Sequence, residues 1–313
     1  MLRYLLIMLC LVCFPRTVFA PPARPPISGL LFARFKVTDL DKSDKFYRDF
    51  LKLKIASSGN IGGVGRPPGC FAANAECFFV NLTQRLEIVK TAEYTQDIGG
   101  MLDSVGFLTS DASALHQYLL ARDLKPESMT ACSQLHNCFE ILDPEKHRLV
   151  FASVGDVSDC GITYDSQISR RIIHAGFVVH DRAAEDRFYK DILGFHVYWH
   201  GGMKDGEDNW VDMQVPDGTD WVEYMLKVPE NATHKQLGVM NHIALGVPDI
   251  KAAREQLIKN GWTGTEQPKI GRDGKWQLNL YDPDDTRVES MEFTPTQKPC
   301  CSEFTGPHPG PKQ

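Results

Sequence analysis

The chain repeats itself. FARFKVTDLDKSDKFYRDFLKLKI and HAGFVVHDRAAEDRFYKDILGFHV align so that Asp39 meets Asp181, Phe46-Tyr47 meets Phe188-Tyr189, Asp49 meets Asp191 and Leu51 meets Leu193. A second pair lies between and after them. SVGFLTSDASALHQYLLARDL aligns with HIALGVPDIKAAREQLIKNGW, bringing Asp111 to Asp249, and LDPEKHRLVFAS aligns with YDPDDTRVESMEF. Repetition of this kind constrains a fold strongly, because each copy is one supersecondary unit that must bury its apolar face on a neighbour. Four units follow, beginning near residues 29, 102, 171 and 239.

Each unit has the same grammar. A β-branched and aromatic run of about eight residues reads as a strand. An Asp then stands where a helix N-cap belongs. An amphipathic stretch of about twelve residues reads as a helix, and two or three short strands separated by Gly, Pro and Asp turns complete the unit. The expected fold class is α+β, with four βαβββ modules in two pairs. We place the N-terminal domain at 28–153, a turn-rich linker at 154–170, the C-terminal domain at 171–295 and a polar, proline-rich tail at 296–313.

Residues 1–23 stand apart. An early Arg3, an apolar run from Tyr4 to Phe14 and small residues near Ala20 to Ala23 read as a secretory signal peptide. The expected location is secreted or periplasmic, with no stable membrane insertion after signal cleavage. Seven cysteines remain beyond this segment, and export makes Cys70–Cys77 and Cys132–Cys138 candidate disulfides. Cys300 and Cys301 sit in the tail, where a soft metal is one reading and a tail of unassigned role the other. Asn81 and Asn231 open glycosylation sequons. The net charge of −6, without a basic block, argues against nucleic acid as a partner. The glycine-rich stretch SSGNIGGVGRPPGC opens no helix, which excludes a phosphate loop.

Alternation along strands defines the candidate site. His174, Gly176 and Val178 share a face, as do His242, Ala244 and Gly246. On the last strands of the same units, Trp221, Glu223 and Met225 share a face, as do Arg287, Glu289 and Met291. A glutamate buried on an apolar strand is costly unless paired or bound to a cation. Two histidines and two glutamates at equivalent places therefore read as ligands of one divalent ion: His174, Glu223, His242 and Glu289, suited to Zn, Ni, Co, Mn or Fe. The first half lacks the set. Phe32 stands for His174, Ser104 for His242 and Val150 for Glu289, and only Glu87 survives. Its domain reads as metal-less. Trp210, Asp212 and Gln214 share a face, as do Gln277 and Asn279, and with Trp199 they are candidate substrate-pocket residues. His196 and His200 are candidates for the cavity mouth, and Glu292 is expected at the surface.

FYKDILGF, FYRDFLKL and YDPDDTRVE resemble phrases of the vicinal oxygen chelate superfamily, which includes glyoxalase I, extradiol dioxygenases and bleomycin-resistance proteins. The resemblance covers nearly all of residues 28–295. It implies that each module pair closes a U-shaped mixed-sheet cavity around a metal, with one ligand from the first and one from the last strand of each unit. It also implies a small-molecule substrate with vicinal oxygens. The leading expectation is a secreted, metal-dependent, glyoxalase-like lyase or isomerase, with Glu223 or Glu289 as the base. A ring-cleaving extradiol dioxygenase is the alternative. It is weakened by the absence of histidine between Trp262 and Glu289 and by Tyr281 falling two residues late. A non-catalytic binding protein is the third reading.

Overall fold

The computed structural model describes residues 22–55, 70, 75–95, 97–133, 136–155 and 164–311. Residues 1–21 of the expected leader, most of the glycine-rich loop, the side chain of Cys132 and residues 156–163 of the linker lie outside the described residues.

Four modules run along the chain. The first comprises β1 (Ile27–Val37), helix α1 (Leu40–Asp44) continued by a π-helical turn (Lys45–Phe50), β2 (Lys54–Ile55), β3 (Glu76–Phe79) and β4 (Arg85–Lys90). The second comprises β5 (Leu102–Thr109), α2 (Ala112–Leu120), β6 (Thr130–Ser133), β7 (His136–Leu142) and β8 (Arg148–Ser153). The third comprises β9 (Ile172–Val178), α3 (Arg182–Asp186) with a second π-helical turn (Arg187–Ile192), β10 (His196–Gly201), β11 (Trp210–Gln214) and β12 (Trp221–Met225). After the short helix α4 (His234–Met240), the fourth comprises β13 (His242–Val247), α5 (Ile250–Lys259), β14 (Lys269–Ile270), β15 (Trp276–Tyr281) and β16 (Arg287–Glu292).

Local chemistry explains the starts of the helices. Asp39, Asp111, Asp181 and Asp249 each cap one, their carboxylates accepting from the backbone amides of Lys42, Ala114, Ala184 and Ala252. Each satisfies an amide that the first helical turn leaves without a partner.

Two eight-stranded mixed sheets result, in the same order: β2-β3-β4-β1-β5-β8-β7-β6 and β10-β11-β12-β9-β13-β16-β15-β14. Within a module the first strand pairs parallel with the last, and the two modules of a pair join antiparallel through their first strands. Alternation sorts the side chains. Ala175, Phe177, Val222, Tyr224, Ile243, Leu245 and Val288 enter a core shared by both halves of the chain. His174, Trp221, Glu223, His242 and Glu289 therefore fall on the other face.

The halves meet through a reciprocal pair of bonds. Tyr47 donates to Asp282 at 3.0 Å and Tyr189 donates to Asp143 at 3.2 Å, both within the buried interior. The tail is integral to the third module. Thr305 N donates to the carbonyl of Tyr198 at 3.0 Å, Trp199 Nε1 to that of Cys300 at 3.1 Å, and Arg171 to that of Gly310 at 2.8 Å. Cys300 and Cys301 are disulfide-bonded to each other, with the Asp205 carboxylate beside them. Cys70 and Cys77 are also paired. Glu292, expected at the surface, is half-buried and accepts from the amide of Ile250 at 3.0 Å, joining the end of β16 to the start of α5.

Candidate metal centre

Register brings the four predicted ligands together. On the four central strands of the C-terminal sheet, Glu223 pairs with Gly176 and Gly176 with His242, forming one row. The next row runs Trp221, His174, Ala244, Glu289. Each histidine thus lies beside a small residue that follows the other histidine by two. Gly176 is required: a Cβ there would lie 2.2 Å from His242 Cε1 and 2.3 Å from its Nδ1.

The donor atoms converge. His174 Nε2 and His242 Nε2 are 3.1 Å apart. Glu223 Oε2 lies 3.2 Å from His242 Nε2 and 3.8 Å from His174 Nε2. Glu289 Oε2 lies 3.6 Å and 3.9 Å from the same two atoms. Ligands about 2.0–2.2 Å from one ion are separated by roughly 3–4 Å, so His174, Glu223 and His242, whose donor atoms all lie within 4.8 Å of one another, fit a divalent cation, with Glu289 beside the two histidines. His242 Nδ1 donates to the carbonyl of Met240 at 2.8 Å, which leaves Nε2 as the bare nitrogen. Glu289 Oε1 is buried without a partner among the described residues, as expected of a site built for a further group, whereas His174 Nδ1, equally unpartnered, faces away from the cluster.

Burial also sets the electrostatics. It raises Glu223 to about 7 against the opposing charges of Arg287 and Lys275, and raises Glu289 to about 7 against Arg287. It holds His174 and His242 well below the usual imidazole value, with His242 and Arg287 respectively adding to the effect. All four groups are driven toward neutral forms, a tendency a divalent cation reverses for the carboxylates.

A cavity of about 280 Å³ opens over the cluster. Trp199, Trp210, Asp212, Gln277 and Asn279 line it with Glu223 and Glu289, as their shared faces predict. Gln214 does not. The tail covers it: its amide donates to the carbonyls of Pro307 at 2.9 Å and Thr219 at 3.1 Å. Strand alternation cannot register a segment that returns from far along the chain. His196 bonds Gln214 at 3.1 Å and His200 bonds Asp208 at 2.7 Å, so neither reaches the cavity lining. Sequence reasoning passed over Arg287 as a functional group, although it placed the residue on the face of Glu289. It also passed over the turn Lys269–Asp273, which lines the opposite wall; the charges in KIGRDG were the available signal.

The N-terminal sheet carries an ion pair at the equivalent place. Arg34, at the position of Gly176, donates Nε to Glu87 Oε2 at 2.9 Å and Nη1 to Ser104 Oγ at 3.2 Å, while its Nη2 lies 2.8 Å from the same carboxylate. Phe32, Cys138, Val150 and Ala152 form a small apolar cluster beside it. A fixed guanidinium thus neutralises the surviving glutamate.

Residues 171–290 match the model of the Glyoxalase/Bleomycin resistance protein/Dioxygenase superfamily. No curated protein matches the chain in sequence. Among solved structures, homoprotocatechuate 2,3-dioxygenase from Brevibacterium fuscum, complexed with 3,4-dihydroxyphenylacetate, is similar at 19% identity and a TM-score of 0.62, covering 92% of this chain and 84% of its own. The 2,3-dioxygenase LapB from Pseudomonas sp. KL28 is similar at 15% identity and a TM-score of 0.62, covering 93% and 96%. At such identities the likeness is one of fold. Among the described residues, no helix is long and apolar enough to cross a membrane. Residues 171–290 thus carry a domain of the Glyoxalase/Bleomycin resistance protein/Dioxygenase superfamily, and the chain shares the fold of these two dioxygenases along nearly its whole length.

Proposed function

We propose that this protein is an exported, metal-dependent lyase or isomerase that moves a carbon-bound proton beside a carbonyl in a small molecule carrying two neighbouring oxygens. The observation that carries this reading is the second carboxylate. His174, His242 and Glu289 would leave an open face for dioxygen and a diol, but Glu223 Oε2 stands 3.2 Å from His242 Nε2 and occupies part of that face. A bound divalent ion would polarise the carbonyl and so acidify the adjacent C–H bond.

The remaining chemistry belongs to the chain. Glu223 is the base. Its side chain is 14% exposed and lines the cavity, whereas that of Glu289 is 3% exposed. Glu289, His174 and His242 hold the ion, and the carbonyl of Met240 fixes the orientation and tautomer of His242. The tryptophan wall excludes water from the reacting face. The apolar leader and the Cys70–Cys77 bridge fit an oxidising compartment.

The test combines metal analysis of the purified protein with NMR detection of C–H to C–D exchange in D2O over a panel of hydroxycarbonyls and thiol adducts of 2-oxoaldehydes. Zinc, nickel or cobalt with exchange that disappears in Glu223→Gln, while bound metal is kept, supports the assignment. Full exchange in that variant removes Glu223 from the role of base. The fold likeness along both halves favours a second reading, ring cleavage at iron. Oxygen uptake with catechols on an iron-loaded protein would replace the first reading with it.

A further inference from the structure

We propose that the Cys300–Cys301 disulfide is a redox modification site: a small thiol reductant opens it, and the opening loosens two walls of the cavity. Bonding between adjacent cysteines closes a small ring around a single peptide group. That peptide group is in use. Its carbonyl, on Cys300, accepts from Trp199 Nε1 at 3.1 Å, and Trp199 lines the cavity. The amide of Cys300 donates to the carbonyl of Arg272 at 2.8 Å, and Arg272 lines the opposite wall.

Arg272 ties that wall to the first. Its Nε donates to the carbonyl of Gly202 at 3.1 Å and its Nη2 pairs with Asp205, both in the loop after β10. The same Nη2 lies against the disulfide, 3.7 Å from Cys301 Sγ and nearer to Cys300 Sγ. The ring thus sits where the two lips of the cavity meet, and the fit is close: a Cβ on Gly201 would lie 3.3 Å from Cys301 Cβ. Two features mark this bridge as the one that opens. Cys301 is exposed, whereas Cys77, in the Cys70–Cys77 bridge, is 1% exposed. Cys301 also holds φ at +75°, in the left-handed region that strains a residue carrying a Cβ. Opening the ring lets Cys301 relax to negative φ, which re-aims the peptide group that Trp199 holds. In the exchange, a thiolate of the reductant attacks one sulfur, the S–S bond breaks and a mixed disulfide forms. A second thiol then displaces it, leaving two cysteine thiols and the reductant as its own disulfide, with two electrons transferred. In an oxidising compartment the ring stays closed. None of this depends on a bound metal.

The experiment equilibrates full-length protein in dithiothreitol redox buffers, blocks free thiols with iodoacetamide and reads each cysteine by peptide mass spectrometry. Acrylamide quenching of tryptophan fluorescence is measured on the same samples. Cys300 and Cys301 should reach half reduction at a ratio of reduced to oxidised dithiothreitol at least about tenfold below that for Cys70 and Cys77. Trp199 is 3% exposed while the ring is closed. Over the same interval quenching should therefore rise at least about twofold in wild type and stay flat in Trp199→Phe. Cys300→Ser/Cys301→Ser should quench as reduced wild type does at every ratio. Reduction of Cys300 and Cys301 no easier than that of Cys70 and Cys77 overturns the modification site. Reduction with unchanged quenching, or quenching in the double variant equal to that of oxidised wild type, overturns the link to the cavity walls.

Discussion

Glu87 and Glu223 occupy the same place in two copies of one module, and their neighbours give them different chemistry. Glu87 faces Arg34, whose guanidinium satisfies it permanently. Glu223 faces Gly176, which has no side chain to offer, and the space goes to His242. Opposite consequences of substitution follow. His242→Ala should remove most bound metal, measured by elemental analysis after dialysis, while far-UV circular dichroism stays close to wild type. A full equivalent of metal in that variant would refute the ligand set. Glu87→Gln should leave metal content unchanged and lower unfolding free energy by about 3 kcal/mol in urea titrations, because it removes the nearer of two carboxylates paired with the buried Arg34 guanidinium and leaves Asp103 at 3.7 Å.

Among the elements, the central strands β9 and β13 matter most to the site. Their antiparallel register sets each histidine beside a small residue of the other strand, so H-x-G and H-x-A are one device read twice. Gly176→Ala places a methyl 2.2 Å from His242 Cε1, and the ring must move. Metal affinity should fall at least about tenfold, with about 1–3 kcal/mol of stability lost to overpacking; isothermal titration and thermal melts read the two effects separately. Unchanged affinity would show that the row does not seat His242. The helices answer to simpler rules. Four aspartates cap four helices, and each was visible because a short acceptor followed by an amphipathic run has a local physical cause. The π-helical turns around Phe46-Tyr47 and Phe188-Tyr189 were read only as helix, since widening by one residue leaves no periodic signal over so short a run.

Across the whole molecule, the two halves behave as one body because they exchange buried polar groups. Tyr47 reaches Asp282, Tyr189 reaches Asp143, and Glu185 accepts from the amide of Glu145 at 3.0 Å. Burial, then the charge of Asp143, raises Glu185 to about 9. Because that value lies above the unfolded one, the folded state binds this proton more tightly, and its contribution is fully present below about pH 4.5 and lost as pH rises through about 9. Melting temperature should therefore decline from pH 6 toward pH 9, and Glu185→Gln, which keeps the acceptor and cannot ionise, should flatten the decline. An unchanged slope in calorimetric scans would exclude Glu185 as its source. The sequence by itself determined the module, its fourfold repetition, the capping residues and the strand face of each ligand, because these depend on periods of two or 3.6 residues and on short-range hydrogen bonds. It also told apart the half that carries two histidines and two glutamates on these strand faces from the half that keeps one glutamate of the four. Only the tertiary structure decided that the repeated Tyr and Asp-Pro phrases bond across the two halves and that the tail covers Gln214. Those contacts join residues far apart in the chain, and no local period or propensity encodes which distant surface will arrive.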